Sequence, residues 1–130
     1  KDYQQLAVIR QMVRDLDLNI KILEQPTIRE TDGLALSSRN LYLSAADRKL
    51  APLLYAEMQE TANQINKGTP VDAALASAKT RLTKAGFGEI DYFDLRHSDS
   101  LQPAETLAPN CRIFAAIQLG KTRLIDNYAL

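Results

Sequence analysis

The chain has 130 residues, of which 45% are hydrophobic and 25% are charged, values that are ordinary for a globular protein with a real core. Its 16 basic residues balance 16 acidic ones without a run of like charge, which argues against a nucleic-acid or membrane surface. One cysteine, no signal-peptide pattern and no apolar stretch near the roughly 20 residues that span a bilayer together predict a cytoplasmic protein.

The first segment of the chain predicts a helix followed by a short strand. Apolar residues recur at helical spacing over residues 2–15, and residues 19–23 alternate like a strand that stops at Pro26. One helix and one strand suit the end of an α/β layer but cannot form a domain alone. Because the chain also begins without a methionine, we expect its natural start to lie upstream. The helical stripe consists of Leu6, Ile9, Val13 and Leu16, with Met12 beside it.

A long helix is predicted over residues 45–66. Ser44 is its expected N-cap and Gly68 its stop, and Pro52 is expected to kink it or to split off a short first turn. An apolar stripe along this helix predicts that it packs on a core. The stripe consists of Leu50, Leu54, Met58, Ala62 and Ile65.

A second helix follows at once. Thr69 is predicted as its cap, Pro70 as its first helical residue and Gly86 as its end. Its apolar stripe predicts that it shares the same core. The stripe consists of Val71, Ala74, Leu75, Ala78 and Leu82.

After Gly88 the period changes to that of strands. Residues 89–96 and 112–118 are predicted strands, and a turn then leads into residues 123–128, which gives a β-hairpin. The stretch 98–110 is predicted to be a surface loop. The chain is thus expected to combine an α/β remnant, residues 1–26, with a small α+β domain of two main helices and a short antiparallel sheet.

Some isolated residues have simple structural interpretations. Cys111 at the start of a strand is expected to be a small core residue. Asp91 and Asp94 fall on opposite faces of a strand, which disfavours a paired acid–base role. His97, the single histidine, is expected at the surface or in a loop.

The first polar segment, Lys1-Asp2-Tyr3-Gln4-Gln5, lies at the start of the first helix. A helix N-terminus favours anions, so Lys1 would improve a phosphate site and Asp2 could accept from ribose hydroxyls. Gln4 and Gln5 can both donate and accept, which suits a hydroxy acid. The alternative is a solvated first turn in which Asp2 complements the helix dipole.

The second polar segment covers residues 26–40, with the sequence Pro-Thr-Ile-Arg-Glu-Thr-Asp-Gly-Leu-Ala-Leu-Ser-Ser-Arg-Asn. Ser37 and Ser38 followed by the guanidinium of Arg39 could form a polyphosphate clamp, because hydroxyls and a planar fork match phosphate oxygens. The alternative is that a serine caps a helical turn and Arg39 pairs with an acid.

In order and spacing, the two segments resemble the signature of the pantothenate synthetase (pantoate–β-alanine ligase) family, closely over residues 1–43. Ile28 stands where valine is common in that family, and Thr31 occupies a variable position. The resemblance implies the C-terminal part of such an enzyme. Residues 1–26 would be the end of a Rossmann-like nucleotide-binding domain, and residues 27–130 a C-terminal lid domain that carries the Ser-Ser-Arg loop.

The resemblance also implies a reaction and a set of roles. Pantoate would be adenylated by ATP with Mg²⁺, and the amine of β-alanine would then displace AMP to give pantothenate. No protein metal ligand and no certain catalytic residue are implied. The resemblance assigns Lys1 to the ATP phosphates, Asp2 to the ribose, Gln5 to pantoate and Ile28, through its backbone, to the adenine. It also implies a loop that closes over the ATP phosphates and consists of Leu36, Ser37, Ser38 and Arg39.

The family's His-x-Gly-His element is absent, and its β-alanine pocket lies largely upstream. We therefore expect the chain alone to be inactive and the full-length enzyme to be a homodimer that acts on small molecules. Two alternatives stay open: another adenylate-forming ligase or nucleotidyltransferase with a different acid, and a non-catalytic C-terminal module kept for interaction.

Overall fold

A computed structural model describes residues 1–130. The C-terminal segments form three strands, β1 (Ile90–His97), β2 (Cys111–Leu119) and β3 (Thr122–Ala129), which make one antiparallel sheet of order β1-β2-β3. The residues of β2 from Arg112 to Leu119 pair in register with β3, and β1 pairs along the other edge with a bulge between Ile90 and Tyr92. The elements are α1 (Tyr3–Asp15), the 3₁₀ helix η1 (Ser38–Tyr42), α2 (Ala45–Leu50), α3 (Leu53–Asn66), α4 (Val71–Ala85), β1 (Ile90–His97), β2 (Cys111–Leu119) and β3 (Thr122–Ala129).

The core lies between one face of the sheet and the pair α3 and α4. Alternation along a strand sends every second side chain to this face, and the helical stripes meet them there. Burial of this apolar surface is the main force that holds the sheet and the two helices together. The largest fully buried side chains include Met58 from α3, Leu82 from α4, Phe93 and Leu95 from β1, and Ile113 and Ile117 from β2.

The opposite face of the sheet receives the start of α1. Phe114 and Ala116 of β2 are buried on this face, although their neighbours in the strand point to the main core. The Tyr3 ring packs 5.8 Å from the Phe114 ring, and the Tyr92 hydroxyl donates to the Gln4 side chain at 3.1 Å. The first turn of α1 is therefore fixed on the sheet.

Most of the predicted elements are confirmed. Ser44 caps α2 by accepting from the Asp47 N–H, and the expected split at Pro52 separates α2 from α3. Gly86 ends α4 with a left-handed φ of 110°. Cys111 is buried in the sheet, as expected of a core residue, and His97 is the half-buried last residue of β1.

The helix predicted over residues 2–15 is confirmed as α1, and within its stripe only Val13 is buried and Leu16 is 62% exposed. Two predictions about local structure are wrong. Residues 19–23 form no strand, because no neighbouring strand in the chain offers backbone partners to an extended segment there. The cap of α4 is Pro70 and not Thr69, so the helix begins one residue later, at Val71.

None of the helices is both long enough and apolar enough to cross a lipid bilayer.

Gly33→Ala is expected to destabilise the chain more than Gly68→Ala. Both glycines have a left-handed φ, of 93° and 94°, so either substitution costs about 1–2 kcal/mol in backbone strain. A Cβ on Gly33 would also lie 3.0 Å from Cδ1 of Tyr55, whereas one on Gly68 would meet nothing within 4 Å. Urea unfolding of both variants measures the difference, which we expect to be about 1 kcal/mol. Equal losses would show that the contact with Tyr55 carries no strain.

Candidate functional site

The loop that ends in Ser37, Ser38 and Arg39 is presented by a small irregular hairpin, residues 28–36. The Leu36 N–H donates to the Ile28 carbonyl at 2.9 Å, and the Glu30 N–H donates to the Leu34 carbonyl at 2.8 Å. A single antiparallel β-bridge between Arg29 and Ala35 joins the two arms of this segment. This 28–36 hairpin therefore fixes where the serine loop, residues 36–39, leaves the core.

Arg29 ties the 28–36 hairpin to β3. Its guanidinium donates two hydrogen bonds to the Asp126 carboxylate, at 2.6 and 2.9 Å, and a third to the Gly33 carbonyl at 3.1 Å. The guanidinium also stacks 3.5 Å from the centroid of the Tyr55 ring. The Asp126 side chain is only 4% exposed, so its charge depends on this planar bidentate partner.

A second set of polar contacts holds the other side of the serine loop. The Asn40 amide donates to the Ala35 carbonyl at 3.1 Å and to the Glu30 carboxylate at 3.2 Å. Arg48 of α2 pairs with both Glu30 and Asp32, and its hydrogen bond lowers the pKa of the Asp32 carboxyl. The serine loop is thus held at both ends.

Within the serine loop, one part of the alternative interpretation is confirmed and the other is not. The Ser37 hydroxyl accepts from the Arg39 N–H at 3.3 Å, so Ser37 does cap η1. Arg39, however, takes part in none of the eight ion pairs of the chain, and Ser38 is exposed without a side-chain hydrogen bond. A free guanidinium beside two serine hydroxyls is suited to bind an anion.

Lys1 and the serine loop meet at one small cavity, although 36 residues separate Lys1 from Ser37. Its walls also include Arg39, Tyr55 and Asp126. Burial lowers the pKa of the Lys1 ammonium, Asp126 acts in the opposite direction, and the nearby charge of Arg39 lowers the pKa further. Lys1 and Arg39 thus lie close enough to repel each other, and Asp126 is already paired with Arg29, so an added anion is favourable here.

The position of Lys1 is set by its backbone and by β3. The Asn127 amide donates to the Lys1 carbonyl at 2.5 Å, and Arg112 donates to the Asn127 amide oxygen at 2.6 Å. Arg112 also lies 4.3 Å above the Tyr3 ring, and burial lowers its pKa. Adjacent residues of β3 thus serve both anchors, Asp126 for the 28–36 hairpin and Asn127 for the start of α1.

Asp2 and Gln5 lie together in the first turn of α1. One carboxylate oxygen of Asp2 accepts from the Gln5 N–H at 3.0 Å and so caps the helix, as the alternative interpretation expected. The other oxygen of Asp2 and the exposed side chain of Gln5 make no hydrogen bond within the chain. Both remain available to a ligand.

Ile28 and Leu36 face solvent at the base of the 28–36 hairpin, with side chains that are 72% and 55% exposed. The Ile28 carbonyl is occupied by the Leu36 N–H, which leaves the Ile28 N–H as its free backbone group. A cleft of about 650 Å³ lies between the start of α1, residues 23–27 and the end of β3; Asp2, Thr27 and Tyr128 line it, whereas Ile28, Leu36 and Gln5 do not. This volume is in the range of small-molecule sites.

No group of three or more His, Cys, Asp or Glu side chains is placed to hold a metal ion.

Sequence reasoning did not identify Arg29, Asp126 or Asn127 as parts of the site. Asp126 and Asn127 are buried in β3 between Ile125 and Tyr128, and two polar residues directly after the apolar pair Leu124 and Ile125 were the available signal.

Comparison with known proteins gives consistent results. The family model described as pantoate-beta-alanine ligase matches residues 1–129. The chain is 57% identical over its whole length to the pantothenate synthetase of Hahella chejuensis and 48% identical to that of Rhodopseudomonas palustris strain HaA2, and it spans 46% of each. The crystal structure of pantothenate synthetase from Thermus thermophilus superposes on 98% of the chain with a TM-score of 0.91 at 41% identity, and the chain covers 46% of that protein. The Francisella tularensis ligase complexed with β,γ-ATP and β-alanine superposes with a TM-score of 0.69 at 33% identity, with 99% of this chain and 41% of that one covered.

Proposed function

Because the chain belongs to the pantoate–β-alanine ligase family, we propose that it is the C-terminal part of an enzyme that condenses pantoate with β-alanine at the expense of ATP. The observation that carries this proposal is the convergence of Lys1, Ser37 and Arg39 on one cavity. The chain spans about half the length of the relatives it matches.

The proposed roles follow the geometry of the site. Lys1 and Arg39 bind the ATP phosphates, because neither cation has a paired carboxylate of its own while Asp126 is engaged by Arg29. Ser37 and Ser38 donate hydroxyl hydrogen bonds to the same oxygens, and Leu36 brings its backbone to them.

The nucleoside occupies the neighbouring cleft, which Asp2 lines. The free oxygen of Asp2 accepts from a ribose hydroxyl, and the free N–H of Ile28 donates to the adenine. Gln5, exposed at the same turn of α1, hydrogen-bonds pantoate.

In the reaction, a pantoate carboxylate oxygen forms a bond to the α-phosphorus of ATP while the bond to the β-phosphate bridging oxygen breaks. Pyrophosphate leaves with the electron pair, and the β-alanine amine later attacks the acyl carbon and expels AMP. The residues of this chain hold the phosphates in place and neutralise charge that develops on them. Mg²⁺ bound with ATP would supply further positive charge at the phosphates, and no residue of this chain is assigned to hold it.

We also propose that residues 1–26 complete a Rossmann-like domain and residues 27–130 form a lid domain. The support is the uncovered apolar surface of the first segment, because exposure of so many large apolar side chains to water favours their burial by another part of the protein. The exposed apolar residues of this segment are Val8, Met12, Leu16, Leu18, Ile20 and Leu23.

The full-length enzyme is proposed to be cytoplasmic and homodimeric and to act only on small molecules.

The isolated 130-residue chain is expected to show no pantoate-dependent exchange of labelled pyrophosphate into ATP. It lacks the family's His-x-Gly-His element, and by the family resemblance most of the Rossmann-like domain as well, so the carboxylate is not held in place for attack on the α-phosphate. A pyrophosphate-exchange assay at saturating ATP and pantoate measures this. Robust exchange would contradict the proposal that adenylation needs parts of the enzyme that this chain does not contain.

Gln5→Ala is expected to weaken pantoate binding to the ATP-saturated chain about fivefold to tenfold, because a hydrogen bond to a charged or hydroxyl group is lost. ATP affinity should not change. Gln59→Ala, at an exposed position of α3, is the matched control. Calorimetric titration with pantoate and with other hydroxy acids measures both effects. If another acid, and not pantoate, loses affinity, the chain belongs to a ligase with a different substrate.

A further inference from the structure

A second recess adjoins the cavity that Lys1 shares with the serine loop. It is a groove of about 560 Å³ between η1 and the turn that joins β2 to β3. Arg39 and Tyr42 form one wall, and Lys121, Thr122 and Arg123 form the other. None of the roles derived above involves the residues of this turn.

The groove carries positive charge that is only partly neutralised. Arg123 pairs with Asp91 at 2.5 Å, but neither Arg39 nor Lys121 has a carboxylate within ion-pair distance. Lys121 is exposed, so its ammonium is free to reach a ligand. Cations gathered in a concave recess attract a multivalent anion more strongly than the same cations spread over a surface.

Thr122 adds an unusual group to the wall of the groove. The residue is 4% exposed, and its hydroxyl has no hydrogen-bond partner in the chain. A buried hydroxyl without a partner costs free energy, and a ligand oxygen that reached it would relieve that cost.

The turn itself is held close to α2, which keeps Lys121 at the groove. Gly120 has a φ of 56°, and a Cβ at this position would lie 2.6 Å from a carboxylate oxygen of Asp47. Only glycine permits this approach. The Asp47 carboxylate accepts a hydrogen bond from the Ser44 hydroxyl at 2.7 Å.

The groove and the Lys1 cavity share residues, since Arg39 and Arg123 line both. An anion that begins at Lys1 and Ser37 can therefore continue past Arg39 towards Lys121. We propose that the groove binds the pyrophosphate end of the nucleoside triphosphate, its β- and γ-phosphates, and that Lys121 and Thr122 are binding residues for it. This inference rests on the proposed nucleotide site and adds to it a groove for the β- and γ-phosphates.

The test compares three ligands on the 130-residue chain: inorganic pyrophosphate, ATP and AMP, each titrated calorimetrically at fixed ionic strength. Lys121→Ala is expected to weaken pyrophosphate and ATP about tenfold and to leave AMP unchanged, because only the first two ligands place a phosphate at this ammonium. Thr122→Val, which keeps the shape of the side chain, should weaken the same two ligands severalfold. Lys84→Ala, a basic residue in the last turn of α4, is the control and should change none of them.

Equal effects of Lys121→Ala on ATP and AMP, or no effect on pyrophosphate, would overturn the proposal. So would a wild-type chain that binds ATP and AMP but not pyrophosphate. Failure of the wild-type chain to bind any of the three ligands would instead refute the nucleotide site, so the two failures are distinguishable. Circular dichroism of each variant verifies that it folds.

Discussion

Arg29→Met is expected to lower the free energy of unfolding by about 3–5 kcal/mol, the cost of leaving a buried charge without its partner. The variant leaves Asp126, 4% exposed, inside the protein with neither of its two guanidinium hydrogen bonds. It also removes the stacking of the guanidinium on Tyr55 and the bond to the Gly33 carbonyl. Urea unfolding at neutral pH measures the loss.

Arg48→Met is the matched control for Arg29→Met. Arg48 also makes two short ion pairs, but its side chain and those of its partners are about one-third exposed, so the expected loss is much smaller than that of Arg29→Met. The double variant Arg29→Met, Asp126→Leu should recover most of the stability, since replacing both charges by apolar groups removes the unpaired carboxylate. Similar losses for Arg29→Met and Arg48→Met would contradict the importance of the buried pair.

Arg39→Ala and Lys1→Gln are each expected to reduce ATP affinity about tenfold to a hundredfold, because each removes a charge-assisted contact to the phosphates. The double variant should lose more than either single variant. Neither side chain has an ion-pair partner, so the fold should be unaffected. Titration with Mg-ATP measures the affinities, and Lys67→Ala, at the exposed end of α3, is the control. Unchanged affinity in both single variants would contradict the assigned phosphate site.

The pH dependence of ATP binding follows from the same cluster. In the free chain burial and Arg39 hold the pKa of the Lys1 ammonium below its ordinary value of 10.5, despite Asp126. A bound polyphosphate favours the charged form and raises that pKa, so binding takes up a proton where free Lys1 has lost one. Affinity should therefore be full at neutral pH and fall as the pH rises towards 10.5. Lys1→Gln should remove this part of the dependence.

Local sequence patterns were enough to predict the helices and the hairpin. The stripes of α3 and α4 and the alternation in β2 each encode burial on one face, and Ser44, Pro52 and Gly86 act within a few residues of the chain. The strand predicted at residues 19–23 failed for a different reason. A strand requires a partner, and alternation within one segment cannot tell whether a partner exists.

Local sequence motifs likewise predicted part of the site but not the contacts between residues far apart in the chain. Motif order indicated Lys1 and the serine loop, and the structure brings Lys1, Ser37 and Arg39 to one cavity. The contact between Arg29 and Asp126 joins residues 97 positions apart and depends on how the 28–36 hairpin lies across β3. No local pattern contains that information.

The most direct test of the nucleotide site is an NMR titration of the isotopically labelled 130-residue chain with Mg-ATP. The backbone amides of Asp2, Gln5, Ile28 and residues 36–39 should shift together with one dissociation constant, and those of α4 should not. Shifts that spare residues 36–39, or no saturable shifts at all, would contradict ATP binding here and favour a non-catalytic module.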